Sequence, residues 1–266
     1  TTDSLGRFAF TLDPGSYQFT AQSDIKNAGG TSTVSEVCKV ASSGNSVCNI
    51  SLPPPNVSGK ITIGGVSVAG SIEFIKVAAT SFEYTGLYAG TASDGIFAIT
   101  APTGSYRTRV YIYDKGTWFF GPLCDVPASG SVTCDAALPS SNLTFKILDK
   151  DSNVMYTSVN VYLEAIYSNG RLGSCCSEPG KDVTNPTVKY GLLDGNYRMT
   201  LNPYEIKYGS SASYLVEIET GTVKSLKREG SASALSATDG VYSLSLTAPV
   251  ISGTVVANDG ITPVPS

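Results

Sequence analysis

Six cysteines and no histidine limit the chemistry open to this 266-residue chain. Histidine is the usual general base and metal ligand near neutral pH, so its absence excludes Ser-His-Asp and Cys-His catalysis. No C-x-x-C pair is present, which argues against a zinc site. Four cysteines fall as Cys38/Cys48 and Cys124/Cys134, each pair with nine residues between its members. A disulfide closing such a loop removes unfolded-chain entropy of roughly 2–3 kcal/mol and persists only in an oxidising compartment. The pairs therefore read as extracellular staples. Cys175 and Cys176 are adjacent; a vicinal disulfide and a crosslink to a neighbouring chain both remain open, and both need that compartment.

Carboxylates are the other candidates. Glu217 and Glu219 alternate with Ile218, so they share the solvent side of an amphipathic strand and read as a charged face instead of an acid/base pair. Asp149-x-Asp151-x-Asn153 opens like a calcium loop but lacks the sixth-position Gly and terminal Glu, so a hairpin turn is the expected reading. Asn49, Asn56 and Asn142 each begin an N-x-Ser/Thr glycosylation sequon. Trp118-Phe119-Phe120, near Tyr111 and Tyr113, is the densest aromatic cluster. It offers either a sugar-stacking platform or packing within and between domains. No catalytic, metal-binding or cofactor-binding residue is assigned.

Residues of these kinds need a frame to hold them. Hydrophobic residues make up 41% of the chain and charged residues 15%, below the roughly 25% charge usual in globular chains. Ser, Thr, Asn and Gly must then cover the surface. With 15 Tyr and 9 Phe and no sustained apolar stripe at helical spacing, strands are expected and helix should be scarce. A net charge of −4, from 18 basic and 22 acidic residues without a dense basic run, excludes a phosphate-tracking surface. No window reaches the about 20 apolar residues of a membrane span, and TTDSLGRFAF lacks the form of a signal peptide.

The frame repeats. Gly6-Arg7-Phe8-Ala9-Phe10 followed by Asp13-Pro14-Gly15-Ser16-Tyr17 matches Gly95-Ile96-Phe97-Ala98-Ile99 followed by Pro102-Thr103-Gly104-Ser105-Tyr106. A weaker copy is Val188-Lys189-Tyr190 with Leu193-Asp194-Gly195-Asn196-Tyr197. Each copy reads as a strand, a tight turn and a return strand opening with Tyr. Closing strands recur at Val47–Pro53, Val132–Pro139 and Val241–Leu246, and opening strands at Val57–Thr62, Leu143–Ile147 and Ile251–Val256. The reading is all-β: tandem Ig-like or prealbumin-like sandwiches arranged as a rod. The expected domains are 55–139 and 140–248, flanked by a partial sandwich at 1–54 without opening strands and an opening strand at 249–266.

The two flanking pieces are complementary, and joining tail to head would make a domain short of about one strand and a loop. Either the chain is one period of a longer repeat protein, or separate copies complete one another by donating the strand in 249–266, as open sheet edges permit.

The Ser-Gly-x-Val opening strand, the turn at Gly260–Val264, Ser93-Asp94-Gly95-Ile96-Phe97 and Pro102-Thr103-Gly104-Ser105-Tyr106 resemble the carboxypeptidase regulatory-like and collagen-adhesin B-type domains. The resemblance implies prealbumin-like sandwiches of about seven strands that serve as spacers in surface proteins and pili. Some such domains carry a Lys–Asn isopeptide bond. Lys60 and Lys146 lie on opening strands, but the closing strands offer only Asn49 in the first fragment and none in the third domain, so both lysines read as solvated.

The expectation is a non-enzymatic structural segment of an extracellular or cell-surface stalk, adhesin or filament. Its partners are copies of itself or adjacent domains, head to tail. The competing class is a module that binds a glycan or surface protein; nucleic acid is excluded.

Overall fold

A computed structural model describes residues 7–22, 32–34, 37–50, 54–155, 158–177 and 187–248. The chain is all-β, built of mainly antiparallel sheets. In the first part, β1 (Gly15–Tyr17) pairs with β4 (Cys38–Val40), and β2 (Thr20–Gln22) pairs with β3 (Ser32–Val34). Asp13-Pro14-Gly15 supplies the turn that launches β1.

The middle part forms two facing sheets. One is centred on β5 (Val57–Ile63), which carries the short β6 (Val66–Ser67). β7 (Gly70–Val77) and β8 (Phe82–Gly90) belong to the other, and β9 (Ile96–Ile99) returns to pair antiparallel with β5. β10 (Gly104–Ile112) and β11 (Thr117–Val126) complete the second sheet in the order β11-β10-β7-β8. β12 (Val132–Thr133) and β13 (Ala136–Leu138) lie parallel to β5. Period-two alternation decides what goes inside: β10 buries Tyr106, Thr108, Val110 and Ile112, and turns Arg107, Arg109 and Tyr111 outward. Phe74, Phe97 and Tyr106 meet edge to face in the core. Each such ring contributes about 1.5–3 kcal/mol by leaving water.

The third part repeats this order. β14 (Leu143–Leu148) pairs with β15 (Val154–Met155). β16 (Val159–Tyr167) and β17 (Gly170–Ser177) correspond to β7 and β8, and β18 (Thr187–Tyr190) corresponds to β9. β19 (Gly195–Pro203) and β20 (Ala212–Glu219) follow, with one further strand, β21 (Thr222–Arg228), at the edge. β22 (Tyr242–Ser245) lies parallel to β14, as β13 does to β5. One buried cluster draws its residues from 57–138; the other runs from 143 to 246 and also takes in Ile75 and Phe120.

Three devices fasten the repeats. The Tyr17, Tyr106 and Tyr197 phenols each donate to the carbonyl four residues back, on Asp13 at 2.9 Å, Pro102 at 2.8 Å and Leu193 at 2.7 Å. Asn56 brackets the backbone of Ala101: Asn56 Nδ2 donates to the carbonyl at 2.9 Å, and the Ala101 N–H donates to Asn56 Oδ1 at 2.8 Å. Asn142 brackets Leu192 in the same way. Lastly, Cys124 on β11 bonds Cys134 beside β12, joining the two sheets, and Cys38 bonds Cys48 in the first part.

Candidate functional site

The outward face of β11-β10-β7-β8 gathers the side chains most suited to recognition. Cross-strand register sets Glu73, Arg109 and Phe120 in one row, and Ile75, Arg107 and Leu123 in the next. A third row holds Ser71, Tyr111 and Trp118. Two of these rows meet the third part of the chain, with Leu123 left exposed at the margin.

Arg109 organises the cover. Its Nη2 and Nε reach Glu73 Oε2 at 2.7 and 3.1 Å, and its Nη1 donates to the Gly173 carbonyl at 2.9 Å. The guanidinium lies 4.2 Å over the Trp118 ring and 5.5 Å from that of Tyr84, a cation held against aromatic faces. The ion pair is shielded, with side-chain exposures of 14% and 17%. Neighbouring contacts widen the joint. Arg107 stacks over Tyr167 at 4.4 Å, Tyr167 meets Phe82 edge to face, and Phe120 packs on Tyr197. Asn169 Nδ2 donates to the carbonyls of Ala78 at 2.9 Å and Ser81 at 3.3 Å. Burial pushes the Tyr167 phenol up, with Arg107 opposing, and raises the Tyr197 phenol further.

Beside this joint lies a cleft of about 460 Å³ lined by Arg107, Pro122, Tyr167, Leu193 and Asp194, among others. Asp194 is committed within the fold, accepting the N–H groups of Thr220 and Gly221 at 3.0 and 2.8 Å.

The aromatic cluster read from sequence divides. Phe119 is 7% exposed in the middle core and Phe120 2% exposed in the joint, so neither offers a ring to a ligand. Trp118 is half-buried, with Tyr111 at 5.3 Å and Tyr113 6.1 Å beyond. Tyr113 is exposed. The surface aromatic row is therefore Trp118 with tyrosines.

The other candidates also take definite places. Asp149 Oδ1 accepts the N–H groups of Asp151 at 2.9 Å and Asn153 at 2.8 Å, and Asn153 Nδ2 reaches its Oδ2 at 3.0 Å. These bonds, the Asn153 side chain first, hold its carboxyl below the usual range. The segment is a turn whose leading carboxylate is occupied. Glu217 and Glu219 share Lys224 on β21, at 3.2 and 3.1 Å. Lys60 is exposed and Lys146 half-buried.

Asn56 and Asn142 engage their side-chain amides within the fold. Asn142 Nδ2 donates to the carbonyls of Leu192 and Gly221. Asn56 is half-buried in its bracket, whereas Asn49 is exposed. The side chains of Cys175 and Cys176 lie outside the described residues, as does the segment 249–266. Sequence reasoning missed the Arg109–Glu73 pair and Asn169; the Arg-Thr-Arg alternation of Arg107–Arg109 beside Trp118 was the available signal.

No protein-family profile matches the chain, and no curated protein matches it. Solved structures give faint likenesses. The chain is 14% identical to a streptococcal ancillary pilin, covering 85% of this chain and 72% of that one with a TM-score of 0.23. It is 11% identical to a candidate adhesin from Bacteroides ovatus, covering 78% and 90% with a TM-score of 0.27. It is 9% identical to the Bacillus anthracis TIE protein, covering 88% and 48% with a TM-score of 0.25. Among the described residues, no helix is long and apolar enough to cross a membrane.

Proposed function

We propose that this chain is a non-enzymatic structural segment of an extracellular stalk, adhesin or filament, its sandwiches at 55–139 and 140–248 forming successive modules of a rod. The observation that carries this reading is the joint around Arg109. A part-buried ion pair, side-chain hydrogen bonds to backbone carbonyls and packed rings hold one module on the next, where a merely tethered pair needs no such contacts. Two disulfides add resistance to unfolding. Modules of this kind extend by strand addition, and the head-to-tail arrangement has a segment of 249–266 completing the 1–54 unit of the next copy.

Purified chain at rising concentration, imaged by electron microscopy, is expected to form single-file oligomers whose axial repeat is a whole number of sandwiches. Particles that stay single at every concentration overturn head-to-tail assembly. Turnover of a glycan or peptide panel overturns the structural role.

A second reading is favoured by the row of Tyr111, Tyr113 and Trp118. Adjacent part-exposed rings stack on sugar faces, which makes this row the platform of a glycan-binding or protein-binding adhesion module. Glycan-array binding lost in Trp118→Ala supports it; an array without signal removes it.

A further inference from the structure

The cleft beside the joint holds a cation that the fold leaves unpaired. Arg109 has Glu73 and the Gly173 carbonyl as partners. Arg107, two residues before it on the same face of β10, has no ion pair among the described residues. Its guanidinium lies 4.4 Å over the Tyr167 ring, which attracts the charge but offers the N–H groups no acceptor. Arg107 Nε is shut off from solvent and has no hydrogen-bond partner among the described residues. A buried donor in that state costs about 1–3 kcal/mol, more on a charged group, and native folds hold few of them.

The walls of the cleft narrow the chemistry of an acceptor that would fit. At about 460 Å³ it has the size of a small-ligand site. Pro122 and Leu123 line it from the middle sandwich, Leu192 and Leu193 from the third, and Pro139 from the chain between them. Among the lining residues Arg107 is the only cation and Asp194 the only anion. Asp194 accepts one N–H at each oxygen, from Gly221 at Oδ1 and Thr220 at Oδ2, which leaves about half of a carboxylate's acceptor sites for donors in the cleft. A dianionic phosphate would meet a single cation here and be repelled by Asp194. A carboxylate monoanion matches the guanidinium fork one to one. The body that carries it needs apolar surface for the prolines and leucines, and donors for Asp194. A uronic acid has all three features on one rigid ring: a carboxylate, hydroxyl groups and C–H faces. An acidic peptide side chain brings its carboxylate on a flexible stem, which loses more freedom on binding.

We propose that the cleft between the two sandwiches binds an acidic sugar, with its carboxylate on Arg107 and its ring hydroxyls turned toward Asp194. The site is separate from the aromatic row: Trp118 faces Arg109 and Tyr111, and none of these three lines the cleft. It also needs no head-to-tail assembly, since every lining residue belongs to one chain.

The test titrates the full chain with glucuronic acid, with trigalacturonic acid and with the neutral methyl esters of both. Binding is followed by calorimetry and by the ¹⁵N signal of the Arg107 Nε–H, assigned through its loss in Arg107→Gln. At least one acid is expected to bind and to move that signal, with its ester weaker by about tenfold or more. Arg107→Gln is expected to weaken the acid by a similar factor. That variant also removes the stack on Tyr167 and so loosens the joint. Leu123→Glu therefore serves as the second variant: it changes a side chain 46% exposed at the cleft margin, and the added carboxylate is expected to repel the acid while the urea midpoint holds. Neither acid binding, an ester bound as well as its acid, an unmoved Nε–H signal, or affinity untouched by both variants overturns the proposal. So does a blocked glutamyl dipeptide that binds at Arg107 where the uronic acids do not.

Discussion

Asn142 and the backbone of Leu192 hold each other by two hydrogen bonds, 2.8 Å from Nδ2 to the carbonyl and 2.9 Å from the N–H to Oδ1. The asparagine stands just before one strand and fixes the peptide ahead of the turn into another, exactly the place where Asn56 fixes Ala101 in the preceding sandwich.

Asn142→Ala leaves both Leu192 backbone groups without their partner. A part-buried orphan group costs about 1–3 kcal/mol, so two such groups predict a loss of about 2–6 kcal/mol, read as a lower urea midpoint at unchanged slope. Asn142→Asp keeps the acceptor, loses the donor and should fall between. A midpoint within error of wild type refutes the bracket as a fastening.

Arg109→Ala strands the Glu73 carboxylate in a shielded setting. Breaking such a pair costs about 3–5 kcal/mol through the charge left behind. The joint should also loosen, with faster amide exchange around 78–81 and 169–173. Exchange unchanged in those stretches would detach Arg109 from the joint.

The buried phenols predict alkaline weakening. The Tyr197 phenol is raised above its ordinary 10.0 chiefly by desolvation, and that of Tyr214 is raised for the same reason. A raised phenol keeps its proton in the fold, so its stabilising share is whole below pH 10 and is lost as pH climbs through the folded pKa. Stability should therefore fall above pH 10. Tyr197→Phe should lose about 1 kcal/mol at neutral pH with its hydrogen bond to Leu193 and show a shallower alkaline decline.

Reduction should act on the middle sandwich through the Cys124–Cys134 bond. Cys124→Ser with Cys134→Ser is expected to lower stability by roughly 2–3 kcal/mol, the entropy of the loop it closes. Equal melting with and without reductant would remove that role.

Much of the fold was legible because strands announce themselves locally. Alternation along Ser105–Ile112 told which side chains face inward, and Pro-x-Gly-x-Tyr marked the turn before it. The site was less legible. The brackets of Asn56 and Asn142 could not be read, because their partners stand 45 and 50 residues away. Trp118-Phe119-Phe120 looked like one cluster, yet consecutive strand residues point to opposite faces, which turns Phe119 into the core of its own sandwich.

The sequence by itself determined the repeated units, the turns that separate their strands, and the spacing of the cysteine pairs. These rest on near-neighbour sterics and on period-two burial. Only the tertiary structure decided what covers each outward face. Arg109 and Tyr111 alternate outward in the same way along one strand, yet Arg109 is shielded against Glu73 and the Gly173 carbonyl, whereas Tyr111 borders the part-exposed aromatic row. The reason is physical: alternation records which side of its own sheet a residue faces, while the covering groups, Glu73 at 36 positions and Gly173 at 64, leave no mark on the local pattern.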